Sequence, residues 1–345
     1  MRKLVALALS LMLLLSFSSA YALKIGVVTP DGDHGFTGDS IAQAQAEIEA
    51  QKAALGDEVE FKFGVGGEAA KQIAVIEDIL TWGPDVIMLW PLEGEQLRST
   101  AQTVVDAGVK LVIYDRLIPD FTGLTAEIMG DNEKIGNMMG EYLIKYFKDR
   151  LDAGEKLQFL TFIGDSSTVS VQRTKGMMDV LNASAYAAQF EQVHEPFQTD
   201  WSNAKSQEFM ENWLNTTDPA VIADLDFICT HDDEIVDGLT IALGNFAGEQ
   251  SIKLISSVGG RRETLDAYDN AKIELVTYFF SPSFIREGIR LAVAAGKGEQ
   301  YQGQDIAGQL FLIPTIEIDK STVADYRASK TFERSEERRV GKECR

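Results

Sequence analysis

Short apolar runs alternate with longer segments of helical periodicity along most of this chain. The apolar runs predict β-strands at residues 24–29, 59–65, 85–90, 110–114, 157–163, 189–195, 227–230, 253–258 and 273–277. The segment 68–82 places Ile73, Ile76 and Ile79 at helical spacing, and Gly83-Pro84 ends it. Such alternation of strand and helix predicts parallel sheets that are covered by helices on both faces.

The alternation is interrupted at residues 124–130, which read as a strand with no helix before it. We interpret this as the first of three connections between two lobes, with the others near 277–282 and 309–314. The prediction is an α/β chain of two doubly wound parallel-sheet lobes joined by a three-strand hinge. The N-terminal lobe is predicted to hold 23–128 and 282–309, and the C-terminal lobe 129–281 and 310–333.

The first residues carry the pattern of an export signal. The basic start Met1-Arg2-Lys3 precedes an apolar stretch, and small residues follow at Ala20 and Ala22. We predict a signal peptide over residues 1–22 that is cleaved after Ala22, which places the mature protein in the periplasm. The apolar stretch is short for a membrane span, and no second run of spanning length follows.

Residues 334–345 form a dense charge run that resembles the translated read-through of a sequencing-library adapter. We interpret them as non-native; a natural charged tail is the alternative. The net charge of −21 becomes about −25 once this segment and the signal are set aside. So acidic a core repels phosphate backbones, which argues against a nucleic-acid partner. Cys229 is then the single cysteine, so no internal disulfide is predicted.

Asp115 and Arg116 directly follow the predicted strand 110–114. In an open parallel α/β sheet, ligands bind just beyond the carboxyl ends of the strands. A carboxylate and a guanidinium at that edge offer acceptors and donors that suit a small polyhydroxy ligand. The alternative for the dipeptide alone is a surface ion pair, which contributes little free energy.

Several short motifs follow one another along the core. In order they are Ile25-Gly26-Val27-Val28, Asp33-His34-Gly35-Phe36, Pro84-Asp85-Val86-Ile87, Asp115-Arg116, Gly130-Asp131-Asn132, Gln172-Arg173-Thr174-Lys175-Gly176, Thr199-Asp200-Trp201 and Asp232-Asp233-Glu234. With these motifs the chain resembles the type I periplasmic sugar-binding proteins, the ribose/galactose/xylose-binding family of ABC importers, from Lys24 to about Asp325. The resemblance implies that a sugar is held in the cleft between the lobes, without catalysis or a cofactor.

The resemblance also implies roles for individual residues. Asp115 and Arg116 match the ligand-binding pair, and Phe36 matches an aromatic that stacks on the apolar face of a sugar. Trp201 matches a second stacking aromatic on the other lobe; the alternative is a residue that pins a helix to its sheet. Asp232 stands where the family usually has a ligand-contacting Asn, and a helix cap is its alternative.

Three further candidates depart from the family pattern, which leaves the identity of the sugar open. His34 replaces an Asn of the family pattern. It is expected either to contact the ligand or to be a hydrogen-bonded histidine of the loop. Arg173 lies two residues beyond the position of the usual ligand-contacting Arg, which is Val171 here. Arg261 replaces an Asp acceptor, so it either meets an acidic or oxidised sugar or is solvated. Phe280 belongs to either the hinge core or the pocket wall.

These inferences predict a substrate-binding protein of an ABC-type sugar importer. Its expected partners are a monosaccharide or small polyol and the permease subunits, and it is predicted to be a monomer. One alternative is a sensor that docks on a chemoreceptor or a histidine kinase. The other is an exported enzyme, against which the lack of a plausible catalytic constellation counts.

Overall fold

The computed structural model describes residues 21–32, 35–269 and 271–329. Most of the predicted signal peptide, His34 and the charge run 334–345 lie outside these ranges. Within them the chain forms two α/β lobes, each with its own sheet of almost entirely parallel strands. The predicted fold class is confirmed. No helix among the described residues is long and apolar enough to cross a bilayer.

The first lobe is built on a six-stranded parallel sheet with the strand order β12-β5-β4-β3-β1-β2. Its strands are β1 (Leu23–Thr29), β2 (Val59–Val65), β3 (Val86–Leu89), β4 (Lys110–Tyr114), β5 (Ala126–Gly130) and β12 (Gln309–Ile313). Its helices are α1 (Gly35–Leu55), α2 (Ala69–Trp82), α3 (Gly94–Asp106) and α11 (Ile285–Lys297). Helices α1 and α11 pack together, and α11 lies on β1, β3 and β4.

Both faces of the central strands are buried, which explains their continuous apolar sequences. Ile25 and Val27 of β1 belong to the apolar cluster that also contains residues of α1 and α11. Val28, the next residue, belongs instead to a separate cluster with residues of α2 and α3. Successive side chains of a strand point to opposite faces, so one strand serves two helical layers.

The second lobe has a seven-stranded sheet in the order β13-β11-β10-β9-β6-β7, with β8 also paired to β6. Its strands are β6 (Leu157–Ile163), β7 (Phe190–Gln192), β8 (Phe197–Gln198), β9 (Leu225–Thr230), β10 (Leu254–Gly259), β11 (Glu274–Phe279) and β13 (Glu317–Ile318). Its helices are α4 (Asn132–Tyr146), α5 (Lys148–Asp152), α6 (Thr168–Ala183), α7 (Asn203–Thr216), α8 (Pro219–Ala223), α9 (Asp233–Asn245), α10 (Arg262–Tyr268) and α12 (Val323–Arg327). Only β13 runs antiparallel among the described strand pairs.

The chain passes between the sheets in three places. It leaves the first sheet after β5, returns to it between β11 and α11, and leaves it again between β12 and β13. The predicted boundary at 281/282 lies in the second connection, whereas those at 128/129 and 309/310 fall inside β5 and β12 of the first sheet. The exact bounds of the lobes stay a prediction. The strand predicted at 189–195 is only Phe190–Gln192, whereas the strand predicted at 227–230 begins already at Leu225.

Candidate functional site

The carboxyl ends of both sheets meet at one cavity. The first lobe contributes side chains that follow β1, β3 and β4, and the second contributes side chains that follow β6, β8, β9 and β11. The cavity is lined by Phe36, Thr37, Trp90, Asp115, Arg116, Val169, Arg173, Trp201, Asp232 and Phe280. This is the edge at which ligands bind in parallel α/β sheets.

The cavity brings together six of the eight residues that the sequence suggested for binding, namely Phe36, Asp115, Arg116, Arg173, Trp201 and Asp232. His34 lies outside the described residues. Arg261 does not line the cavity, because its Nη1 forms an ion pair with Asp237 at 2.8 Å and its backbone N–H donates to Asp233 at 2.8 Å. A ligand role for Arg261 therefore gains no support from this geometry.

Asp115 sits in a tight turn directly after β4. Its φ of +66° lies in the left-handed region, which is uncommon for a residue other than glycine. The backbone N–H of Asp115 donates to Ile128 O at 2.9 Å, and that of Arg116 donates to Tyr114 O at 2.8 Å. Burial raises the pKa of the Asp115 carboxyl, while the positive charges of Arg116 and Arg173 oppose that rise. The turn thus delivers a buried carboxylate that is under the influence of two positive charges, those of Arg116 and Arg173.

Arg116 connects the two lobes. Its Nη1 donates to Leu92 O at 2.6 Å, and its Nη2 forms an ion pair with Asp165 of the second lobe at 3.0 Å. Only 7 % of Arg116 is exposed, and its buried Nε has no hydrogen-bond partner in the described part of the chain. The guanidinium therefore keeps at least one buried donor, the Nε–H, that the described part of the protein does not use.

Sequence reasoning missed Asp165, although the residue follows β6 as Asp115 follows β4. Burial by itself would raise the pKa of the Asp165 carboxyl. The Arg116 charge and hydrogen bonds from Ser167 outweigh that effect and hold the pKa below its usual range. The position after an apolar strand was the signal that could have identified it.

Arg173 is held firmly by the second lobe. Its Nε donates to Asn132 Oδ1 at 2.9 Å and its Nη1 donates to His231 O at 2.5 Å. Its guanidinium carbon lies 4.6 Å from the centre of the Phe280 ring, a distance typical of a cation–π contact. Burial lowers the pKa of Arg173 to about 10. Arg173 is thus both a structural residue and a part of the cavity wall.

Asp232 caps helix α9, as the alternative reading of the sequence suggested. Its Oδ1 accepts a hydrogen bond from Glu234 N at 2.7 Å. Burial raises the pKa of the Asp232 carboxyl well above its ordinary value, and the negative charges of Glu234 and Asp233 add to the rise. Asp232 also lines the cavity, so the two readings of this residue are compatible.

Aromatic side chains from both lobes complete the wall. The Phe36 ring lies 6.1 Å from the Trp90 ring and 5.5 Å from the Phe280 ring, measured between centroids. Trp201 packs closely on Gly164, and a Cβ atom on residue 164 would lie 2.1 Å from the Trp201 ring. The indole N–H groups of Trp90 and Trp201 act on the carboxyls of Asp115 and Asp165, where each opposes the rise in pKa that burial causes. Trp90 was missed from the sequence, although an aromatic residue directly after an apolar strand was the signal for it.

Comparison with known proteins identifies the family. A family model described as a periplasmic binding protein domain matches residues 25–300. The D-xylose-binding periplasmic protein of Haemophilus influenzae is 24% identical over 294 residues, which cover 81% of this chain and 83% of that protein. The D-xylose-binding periplasmic protein of Escherichia coli is 27% identical over 188 residues, which cover 53% of this chain and 54% of that protein.

Solved structures share the fold at low sequence identity. An ABC transporter solute-binding protein from Bacillus halodurans with bound myo-inositol gives a TM-score of 0.72 at 19% identity, covering 90% of this chain and 99% of the other. The binding protein of an arabinose ABC transporter from Shewanella sp. ANA-3 gives a TM-score of 0.73 at 20% identity. The match covers 91% of this chain and 98% of that protein. The fructose-binding periplasmic domain of a hybrid two-component system also gives a TM-score of 0.73, at 17% identity. This match covers 93% of this chain and 98% of that domain.

These relatives and neighbours are named as binding proteins rather than as enzymes, in agreement with the prediction that the chain catalyses no reaction. The solved structures share the fold of two parallel-sheet lobes described above. Since the family model spans residues 25–300, the chain belongs to the periplasmic binding protein family.

Proposed function

We propose that this protein is the substrate-binding component of an ABC-type sugar importer. It captures a monosaccharide or a related small polyol between its lobes and delivers it to a membrane permease. The observation that carries the proposal is the cavity itself, in which Asp115 and Arg116 of one lobe face Arg173, Trp201 and Asp232 of the other. The D-xylose-binding relatives support the same class of ligand.

The chemistry of the cavity suits a neutral polyhydroxy ligand. Its two carboxylates, Asp115 and Asp232, are matched by two guanidinium groups, Arg116 and Arg173, so the lining carries no large net charge. The buried Nε donor of Arg116 complements a hydroxyl oxygen, and aromatic rings complement the apolar C–H faces of a sugar.

Capture follows from the division of the site between two lobes. A ligand that bonds to residues of both lobes binds the closed arrangement more tightly than the open one. It therefore shifts the population toward the closed arrangement, with the three interlobe connections as the hinge. The closed surface is then the one that a permease recognises.

A thermal-shift screen over pentoses, hexoses, deoxysugars, sugar acids and polyols tests the proposal. We expect one or a few neutral sugars to raise the Tm, because a ligand stabilises the folded state by RT ln(1 + [L]/Kd). Isothermal titration calorimetry then measures the Kd. A panel without any response, or a response to sugar acids alone, contradicts the assignment of a neutral sugar.

Transport and sensing need a separate test. Sensing remains the alternative because the fructose-binding domain of a two-component system has the same fold. Deletion of the gene is expected to abolish uptake of the identified sugar by the source organism. Unchanged uptake with a lost transcriptional or chemotactic response would instead favour the sensor.

Mass spectrometry of the protein from a periplasmic extract checks the cleavage proposed after Ala22.

A further inference from the structure

Glu234 makes a contact between the two lobes that lies beside the cavity. It lies in the first turn of α9 in the second lobe, and its carboxylate reaches the first turn of α1 in the first lobe. Its Oε1 accepts a hydrogen bond from Phe36 N at 2.9 Å, and its Oε2 accepts one from Gly35 N at 3.3 Å. The first N–H groups of a helix have no partner within the helix, and the helix dipole favours a negative charge there.

Gly35 gives the carboxylate the space that it needs. A Cβ atom on residue 35 would lie 2.2 Å from Glu234 Oε1, well inside van der Waals contact. The reason for glycine at this position is therefore the close approach of a side chain from the other lobe. Any larger residue here pushes the Glu234 carboxylate away from the helix.

The contact is directly connected to the cavity without being part of its lining. Phe36, whose N–H Glu234 holds, contributes its ring to the cavity wall, whereas Glu234 does not line the cavity. Asp232, which does line the cavity, accepts a hydrogen bond from the backbone N–H of Glu234 at 2.7 Å. One helix start in the second lobe therefore presents a cavity residue and, two residues later, a carboxylate that holds the opposite lobe.

We propose that Glu234 is a positioning residue, which determines affinity by holding Phe36 and α1 of the first lobe against the second lobe in the closed arrangement. The inference rests on the proposed function, because it assumes that closure around a ligand is what binding measures. A contact between the lobes exists only when they are together. Its loss therefore accelerates ligand release and leaves the rate of first encounter unchanged.

Two single variants and their combination test this role. Glu234→Ala removes the carboxylate, and Gly35→Ala leaves it in place but displaces it. We expect each to weaken binding of the sugar found in the screen about tenfold, which corresponds to about 1.4 kcal/mol. The double variant is also expected to lose about tenfold, not a hundredfold, because both changes remove the same contact. Asp179→Asn is the control, since it removes a surface carboxylate that pairs with Lys175 inside the second lobe.

Stopped-flow tryptophan fluorescence separates positioning from a general structural role. In Glu234→Ala the dissociation rate is expected to rise about tenfold, while the association rate stays within about twofold and calorimetric stoichiometry stays at one. The inference is overturned if Glu234→Ala has the Kd and the dissociation rate of wild type. It is also overturned if the double variant binds the sugar a hundredfold more weakly than wild type. Wild-type protein that binds no member of the panel overturns the proposed function and this inference with it. Wild-type protein that binds while Glu234→Ala matches it overturns the inference alone.

Discussion

Replacement of Arg116 is the most informative perturbation of the site, because this side chain bonds within its own lobe and across the cleft. Arg116→Ala removes the hydrogen bond to Leu92 O, the ion pair with Asp165 and the buried Nε donor. The first contact contributes to the stability of the first lobe. The other two are expected to act on closure and on ligand binding.

The magnitudes follow from these contacts. A hydrogen bond from a charged donor contributes roughly 1.5–3 kcal/mol, and 1.4 kcal/mol is a factor of ten in Kd. Loss of one such bond to a sugar hydroxyl therefore raises the Kd at least about tenfold. The Tm without ligand is expected to fall by only about 2–6 °C, because a single hydrogen bond within the first lobe is lost. The carboxylate of Asp165, which loses its ion pair, is 22 % exposed and is therefore still solvated by water.

Calorimetry with the sugar from the screen measures the Kd, and scanning fluorimetry measures the Tm. Arg116→Lys keeps the charge but not the planar fork of donors, so its Kd is expected between those of wild type and Arg116→Ala. Arg327→Ala is the control, since Arg327 pairs with Asp266 and Asp269 away from the cavity. A Kd within twofold of wild type for Arg116→Ala would refute the assignment of this residue to the site.

Three further outcomes are expected. Asp232→Asn keeps a capping side chain but removes a half-buried carboxyl with a raised pKa. Because wild-type stability falls as the pH rises through that pKa, the Tm gain of the variant over wild type should grow from acid to neutral pH, and a pH-independent difference would contradict this. Sugar titration should change the tryptophan emission because Trp90 and Trp201 line the cavity, and Trp201→Phe should reduce the change while Trp213→Phe, in the core, preserves it. Arg173→Lys should lower the free energy of unfolding by about 2 kcal/mol, and with it the Tm, and should also weaken ligand binding, because an ammonium cannot make both hydrogen bonds of the guanidinium. An unchanged melting curve would argue against a structural role for Arg173.

The position of Asp115 and Arg116 could be predicted because it depends on local order alone. A residue that directly follows a strand of a parallel sheet lies at the carboxyl edge of that sheet wherever the other elements are. The same reasoning would have identified Trp90 after β3 and Asp165 after β6. Those two residues were missed because neither belongs to a motif with a recognised function.

The case of Arg173 shows where prediction from local order ends. The resemblance had placed the usual ligand-contacting Arg at Val171. Val171 is 57 % exposed, whereas Arg173 is only 2 % exposed and lines the cavity. Residues two apart on a helix point to nearly opposite sides. The side of α6 that faces the cleft depends on how the helix packs against its neighbours, and spacing within the helix does not contain that information.

The sequence by itself determined the two α/β lobes, the edge at which the site lies and the family to which the chain is similar, because these depend on hydrophobic periodicity and on the order of short motifs. Only the tertiary structure decided that Arg261 pairs with Asp237, that Arg116 reaches Asp165, and that Glu234 holds the start of α1. Gly35 and Glu234 are 199 positions apart in the chain. Contacts of that kind depend on how complete lobes approach each other, which no local pattern of residues specifies.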